Sequence, residues 1–203
     1  MTYSSGNITK LEYAKILSAA LAYLMLKQQD GVGLMLFDSK IRASIAPKSK
    51  SNHIKSLFSI MEGIIPGPDT NIGDILHISA ESIKKRGLII IISDFLDDIQ
   101  SIVSGIKHYR YKGHEVILFH ILDEQELQLN FNERTQFVDL ETKEMITTAP
   151  WHIRKDYRQG IQKFCDELKN NCRKNKVDYN LLCTNQPVEI ALFDYLLKRR
   201  KMY

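Results

Sequence analysis

The chain has 203 residues, 44% of them hydrophobic and 26% charged, and a formal net charge of +4 at pH 7. This composition is typical of a folded globular protein and excludes a disordered one. The three cysteines lack the CxxC spacing of a zinc site, and their odd number argues against a disulfide framework. The sequence shows neither a run of about 18 apolar residues nor a secretory leader. We therefore expect a cytoplasmic protein without a membrane span, folded as a single domain over residues 1–203.

The first predicted element is a helix that begins after Thr9 and ends near Gln29. Thr9 and Glu12 have the spacing of a capping box, in which each side chain accepts a hydrogen bond from the backbone N–H of the other residue. From Ile16 to Leu26 the segment is almost entirely apolar. A helix that is apolar on all sides needs cover on all sides, so the pattern predicts a buried helix.

A hairpin and two amphipathic helices are predicted next. Two apolar segments joined by a tight turn indicate the hairpin, and a loop rich in proline and glycine separates the two helices. The strands are expected at 32–37 and 41–46, the helices at 52–63 and 71–85, and the loop at 65–70. Thr70 ends that loop, at or beside the N-cap position of the second helix.

The segment Gly87–Asp94 predicts the most buried strand. Its five consecutive aliphatic residues, Leu88–Ile92, leave no polar face, which is typical of a strand covered on both sides in a parallel sheet. The strand is followed by Ser93 and Asp94, and a carboxylate is costly to bury without a partner. Because ligand sites in open α/β sheets lie at the carboxyl ends of strands, Asp94 is the first candidate for a functional residue.

The second half of the chain alternates helices and strands around one insertion. Asp97 and Asp98 open a helix that ends at Gly113, and Thr184 or Asn185 caps the last helix. The intervening elements are a strand at 115–122, an insertion at 123–150 with a small β meander at about 127–148, a helix at 151–175 and a strand at 177–183. This alternation predicts an α/β fold with a doubly wound, mainly parallel sheet. Such a domain usually begins with a strand, whereas this sequence begins with a helix.

Six segments of the sequence resemble bacterial proteins of domain of unknown function 58. They are Thr9–Ala14, Asp30–Leu34, Ile92–Asp98, Gly113–Val116, Phe119–Asp123 and Phe137–Thr142. They follow the order of the family and extend over nearly the whole chain. The resemblance implies a von Willebrand factor A-like, Rossmann-like domain, a fold that often carries a metal-ion-dependent adhesion site.

That adhesion site takes its ligands from three loops, and the resemblance assigns two of them here. Thr70 matches the second loop and Asp94 matches the third. The Asp-x-Ser-x-Ser motif of the first loop is absent, and Met1–Gly6 looks like the sequence that follows it. We therefore expect the chain to start at or just after the motif, without the opening strand. That strand would lie between Val32–Phe37 and Leu88–Ser93. These two strands would close up on each other, receive another chain between them, or leave a poorly stable fold.

Mg²⁺ prefers oxygen ligands and needs only one or two carboxylates, so Thr70 and Asp94 are the candidate metal ligands. With most of the motif missing, we expect a vestigial site that binds Mg²⁺ weakly. The alternative for Thr70 is a helix cap, and for Asp94 a strand-end carboxylate or a cap of the next helix. His114 and His120 are minor candidates whose default place is the surface or a hydrogen-bonded core.

The resemblance implies a non-enzymatic protein–protein interaction module that partners a MoxR-type AAA+ ATPase in the assembly of other proteins. The sequence lacks the motifs of a nucleophile elbow, a phosphate-binding loop and a His-Glu-x-x-His zinc site, and nothing in it indicates a nucleic-acid partner. The alternative function is a metal-dependent hydrolase that uses Asp94, Asp97 or Asp98 together with Asp123.

Overall fold

The computed structural model describes residues 1–64, 71–131, 135–138, 145–148 and 150–200. Helices and strands alternate along these residues. The helices are α1 (Lys10–Lys27), α2 (His53–Glu62), α3 (Ile72–Ser82), α4 (Ile99–Tyr111), α5 (Glu124–Gln128), α6 (Pro150–Lys174) and α7 (Val188–Arg200). The strands are β1 (Val32–Phe37), β2 (Ile41–Lys48), β3 (Leu88–Ser93), β4 (Glu115–Leu122), β5 (Thr135–Val138), β6 (Met145–Thr148) and β7 (Asp178–Cys183). None of the helices in the described ranges combines the length and the apolar content that a membrane span requires.

A parallel sheet of three strands, in the order β3–β4–β7, organises the core. One face of β4 carries Val116 and Leu118, which pack in a core cluster with residues of α3, α4 and α6. The other face carries Ile117 and Phe119, which pack with residues of α1 and α7. The sequence of β4 is almost continuously apolar because helices cover both of its faces. The predicted α/β class with a parallel sheet is confirmed.

Local signals in the sequence placed several elements well. The ranges predicted for β3 and β4 are those found, and the capping box of Thr9 and Glu12 is present at the start of α1. The prediction that α1 is apolar and buried on all sides is wrong. Ile16 and Tyr23 are 47% and 48% exposed, because the sheet and α7 cover only the face that carries Tyr13 and the buried leucines.

The predicted β meander is also wrong in its first part. Leu127, Leu129 and Phe131 alternate with polar residues and so suggested a strand, but α5 forms there instead. Asp123 and Glu126 make a capping box that starts this helix, and Leu129 ends it with a φ of 48°. The capping interactions override the alternation. β5 and β6 then pair as an antiparallel hairpin, as the second part of the prediction requires.

β1 and β3 do not pair with each other. Among the described residues, β1 pairs with β2 in a separate antiparallel sheet, and β3 pairs with β4 alone. A cavity of about 150 Å³ lies between β1 and β3. It is lined mainly by apolar side chains from these two strands, α1 and α2, among them Leu34, Leu57 and Ile90. Of the arrangements considered for these two strands, closing up on each other is therefore not the one adopted.

Two glycines in helices give opposite expectations for the same substitution. A Cβ atom on Gly105 of α4 would lie 2.5 Å from Cβ of Leu76 on α3, whereas one on Gly160 of α6 would meet nothing within 4 Å. Gly105→Ala should therefore lower the free energy of unfolding by about 1–3 kcal/mol through overpacking. Gly160→Ala should raise it by about 0.5–1 kcal/mol, because alanine loses less backbone entropy in a helix. Urea denaturation measures both, and equal effects would contradict the close packing of α3 on α4.

Candidate functional site

The candidate site lies where the three parallel strands end. Asp94 follows β3, Asp123 follows β4 and Thr184 follows β7, so all three residues share one edge of the sheet. The hydroxyl Oγ1 of Thr184 donates a hydrogen bond to Oδ2 of Asp123 at 3.1 Å and links two of the strand ends. This is the edge at which α/β sheets bind their ligands.

Asp94 is held by two positive charges. Its Oδ2 atom lies 2.8 Å from Nζ of Lys10 and 3.1 Å from the N-terminal amine of Met1. Nζ of Lys10 also lies 2.6 Å from Oε1 of Glu126. Lys10 is only 2% exposed, so its ammonium group sits inside the protein between two carboxylates. A buried ion pair of this kind depends on both partners being present.

The ionisation of both groups follows from this pairing. Burial by itself would lower the pKa of Lys10, but the carboxylates of Asp94 and Glu126 outweigh burial, and the pKa of Lys10 is raised. Burial would likewise raise the pKa of Asp94, yet the adjacent ammonium groups of Lys10 and the N-terminus lower it. Both side chains are therefore charged at neutral pH.

Asp123 is occupied by hydrogen bonds rather than by an ion pair. Its carboxylate accepts from the backbone N–H of Ser5 at 3.0 Å, from the hydroxyl of Ser5 and from the backbone N–H of Gln125 at 2.9 Å, in addition to Thr184. Burial would raise the pKa of Asp123, but the hydrogen bonds from Ser5 lower it overall. A carboxylate with so many donors is an anchor for the N-terminal segment.

Lys10, Ser5 and Glu126 were not foreseen as site residues. The sequence did hold one signal for Lys10, because it begins the apolar stripe of α1 that continues through Tyr13, Leu17 and Leu21. A lysine in line with buried positions three, seven and eleven residues further on is expected to point inward. Ser5 carries no comparable signal, whereas Glu126 has the spacing of a capping box with Asp123.

The loop after β3 presents an apolar residue to solvent. Phe95 is fully buried and has a φ of 46°, a left-handed conformation that is rare for residues other than glycine. Leu96 follows it and is 51% exposed. Asp97 and Asp98 each accept hydrogen bonds at the start of a helix. Oδ2 of Asp97 accepts from the backbone N–H of Ile72 at 2.8 Å, and Asp98 caps α4. Asp98 is thus the N-cap of the helix that Asp97 and Asp98 were predicted to open.

The remaining candidates are placed differently. Thr70 lies outside the described residues. His120 is fully buried, and its Nδ1 atom lies 2.7 Å from the hydroxyl of Tyr179. Burial lowers the pKa of His120 to about 4, while the backbone and carboxylate of Asp94 act weakly in the opposite direction. His114 is also buried, and burial lowers its pKa. Both histidines are core residues.

A groove of about 540 Å³ runs along the same edge, between the N-terminal segment, α1 and the loops after β4 and β7. Its lining combines apolar and acidic side chains. Among them are Ile8, Tyr13, Ile16, Pro187, Glu124 and Glu189. The edge of the sheet therefore offers a concave surface that combines apolar and acidic side chains.

Comparison with known proteins identifies the family. The model of the family described as Protein of unknown function DUF58 matches residues 1–165. The chain belongs to this family. None of the curated proteins matches it.

Two solved structures share the fold of this DUF58 chain. One is the conserved hypothetical protein BatB from Bacteroides thetaiotaomicron, with a TM-score of 0.59 and 18% identity over 99% of this chain and 93% of that one. The other is an aerotolerance-related membrane protein from Bacteroides fragilis with multiple mutations to serines. Its TM-score is 0.58 and its identity 18%, over 90% of this chain and 85% of that one.

In the DUF58 chain, the side chains around Asp94 are not arranged to bind a Mg²⁺ ion. Such an ion needs open oxygen ligands in octahedral geometry, whereas the Lys10 ammonium already contacts both Asp94 and Glu126. Within the described part of the chain, no group of three or more His, Cys, Asp or Glu side chains is arranged to hold a metal ion. A cation at Asp94 would first have to displace Lys10.

Proposed function

We propose that this DUF58 chain is a non-enzymatic protein-binding module whose partner docks at the carboxyl edge of the β3–β4–β7 sheet. The observation that carries the proposal is the groove at that edge, together with exposed Leu96 beside Asp94. An exposed apolar surface rimmed by polar residues is typical of a protein interaction site. We also infer the finer fold that the family resemblance implies, a doubly wound von Willebrand factor A-like domain.

The state of the carboxylates supports binding over catalysis. A general base or nucleophile must be free to reach a substrate, but Asp94 and Glu126 share the Lys10 ammonium, and Asp123 accepts hydrogen bonds from Ser5, Gln125 and Thr184. No observation among the described residues favours the metal-dependent hydrolase. We propose that Mg²⁺ binding by this chain is weak, because Lys10 competes for the same oxygens.

The lining of the groove indicates the chemistry of the partner. Ile8 and Ile16 provide apolar contact area, and Glu124 and Glu189 provide negative charge. A partner segment with an apolar side chain flanked by lysine or arginine is complementary to this surface. The family resemblance suggests that the partner belongs to a MoxR-type AAA+ ATPase, and we propose that the two proteins meet in the cytoplasm.

The test measures binding to a purified MoxR-type AAA+ ATPase by biolayer interferometry. Leu96→Asp and Ile16→Asp should each weaken the affinity at least tenfold, a loss of about 1.4 kcal/mol, because each places a charge on an exposed apolar contact. Tyr111→Asp is the matched control, since Tyr111 is 91% exposed at the far end of α4. Equal affinity of all three variants, or no binding by the unaltered chain, would overturn the proposal.

A further inference from the structure

Two histidines meet where α3 packs against α4. His77 of α3 and His108 of α4 have their Nδ1 atoms 3.1 Å apart. Nε2 of His108 lies 2.7 Å from Oε1 of Glu81, and Nε2 of His77 lies 3.2 Å from Oγ of Ser104. Each helix thus contributes two residues spaced by four, and the four side chains form a line across the helix pair.

The partners of the outer nitrogens decide where the protons are. A carboxylate only accepts hydrogen bonds, so Nε2 of His108 carries a proton, and in the neutral ring its Nδ1 presents a lone pair towards His77. Without a metal ion, His77 must then donate from Nδ1, and its Nε2 accepts from the hydroxyl of Ser104. A lone pair on a tautomer fixed by a carboxylate is the arrangement found around metal-ligating histidines.

We propose that His77 and His108 bind a divalent transition-metal ion such as Zn²⁺ through their two Nδ1 atoms. For metal–nitrogen distances of about 2.05 Å, Nδ1 atoms 3.1 Å apart subtend about 98° at the ion, between octahedral and tetrahedral values. The spacing of the two nitrogens therefore fits an ion once each ring turns its Nδ1 lone pair from the other nitrogen towards the ion. Since no cluster of three or more ligating side chains exists among the described residues, water supplies the other ligands.

Binding leaves every polar group of the line with a partner. The ion replaces the proton that bridges the two Nδ1 atoms, and that proton moves to Nε2 of His77, so no net proton is released. Nε2 of His77 then donates to Oγ of Ser104, because a hydroxyl oxygen accepts as well as it donates. Glu81 keeps its hydrogen bond from His108 and offsets part of the positive charge of the ion.

The helix pair holds the two rings in a fixed relation. A Cβ atom on Gly73 would lie 2.6 Å from Cβ of Ser101, and one on Gly105 would lie 2.5 Å from Cβ of Leu76. Only glycine allows the helices to approach this closely at both positions. A rigid pair of helices holds ligand geometry better than a loop does, so the helices fix the spacing of the two rings.

Isothermal titration of the full chain with ZnCl₂ at pH 7.5 tests the proposal, with Co²⁺ absorption as an independent signal. We expect one ion per chain. His77→Asn and His108→Asn should each abolish saturable binding, and Glu81→Gln should weaken it about 10- to 100-fold, the usual loss for an outer-shell partner. Circular dichroism of each variant verifies that it is folded.

Two results would overturn the proposal. One is a titration of the unaltered chain without saturable binding of Zn²⁺ or Co²⁺. The other is saturable binding that persists in each of the folded variants His77→Asn and His108→Asn, which would place the ion elsewhere, for example on a cysteine. Neither result bears on the protein-binding edge of the sheet, so failure here and failure of the proposed function are distinguishable.

Discussion

Replacing Lys10 with methionine should lower the free energy of unfolding by about 3–5 kcal/mol, the usual cost of removing one partner from a buried ion pair. Methionine fills a similar volume, so the loss reports the missing charge. Asp94 and Glu126 would remain within the protein without the ammonium group that lies 2.8 Å and 2.6 Å from their oxygens. Urea denaturation at pH 7 measures the change.

Two further variants separate the charge from the packing. Lys15→Met removes a lysine from the same helix without a buried ion pair, and we expect its effect to be within about 0.5 kcal/mol. Asp94→Asn added to Lys10→Met should recover part of the loss, because it removes a buried charge that has lost one of its two partners. If Lys10→Met were as stable as Lys15→Met, the buried ion pair would not be a determinant of stability.

The same variant tests whether Lys10 weakens Mg²⁺ binding at Asp94. With Lys10 removed, the carboxylates of Asp94 and Glu126 offer oxygen ligands to a hard cation. We therefore expect Lys10→Met to bind Mg²⁺ more tightly than the unaltered chain, as measured by calorimetry, and Mg²⁺ to raise its unfolding midpoint. Unchanged Mg²⁺ affinity in a folded Lys10→Met variant would show that Lys10 is not what weakens the site.

Acidification should destabilise the protein through His120, by about 3 kcal/mol between pH 6.5 and pH 4. The folded state holds His120 neutral in the core, with its pKa lowered to about 4 by burial. The unfolded chain takes up a proton on this residue already near pH 6.5. Because the unfolded state binds more protons across this interval, stability is full above pH 6.5 and falls as the pH decreases.

His120→Asn isolates this contribution, since asparagine retains a polar group for the hydroxyl of Tyr179 and does not titrate. Its free energy of unfolding should vary less with pH than that of the unaltered chain, by about 3 kcal/mol across the interval. The lowered pKa of Asp94 does not interfere, because its stabilising effect is lost only below about pH 4. Parallel pH profiles of His120→Asn and the unaltered chain would contradict the prediction.

Predictions made from neighbouring residues succeeded where the deciding interactions are local. The strand at the aliphatic run of β3 and the capping box of α1 each depend on residues within a few positions, and both lie where they were predicted. The most buried strand is β4, however, and not β3. The alternating pattern after β4 failed for the same kind of reason. Asp123 and Glu126 offered a stronger local interaction, the capping box of α5, than the alternation did.

The composition of the candidate site was predictable only in part. Asp94 could be singled out because a carboxylate directly after a buried strand needs a partner. The identity of that partner could not be read from the sequence, since Lys10 is 84 positions away from Asp94. Ser5 likewise reaches Asp123 across 118 positions. Which residues meet over such separations depends on how the sheet and its helices pack.

The sequence by itself determined the secondary structure around the sheet, the α/β class and the position of Asp94 at a strand end. Apolar periodicity and capping act over one or two turns, so they can be read from the sequence. Only the tertiary structure decided that a buried ammonium group occupies the oxygens at Asp94, and that His77 and His108 face each other across a glycine-lined helix contact. Both arrangements arise because packing of the core brings together residues that the sequence holds far apart.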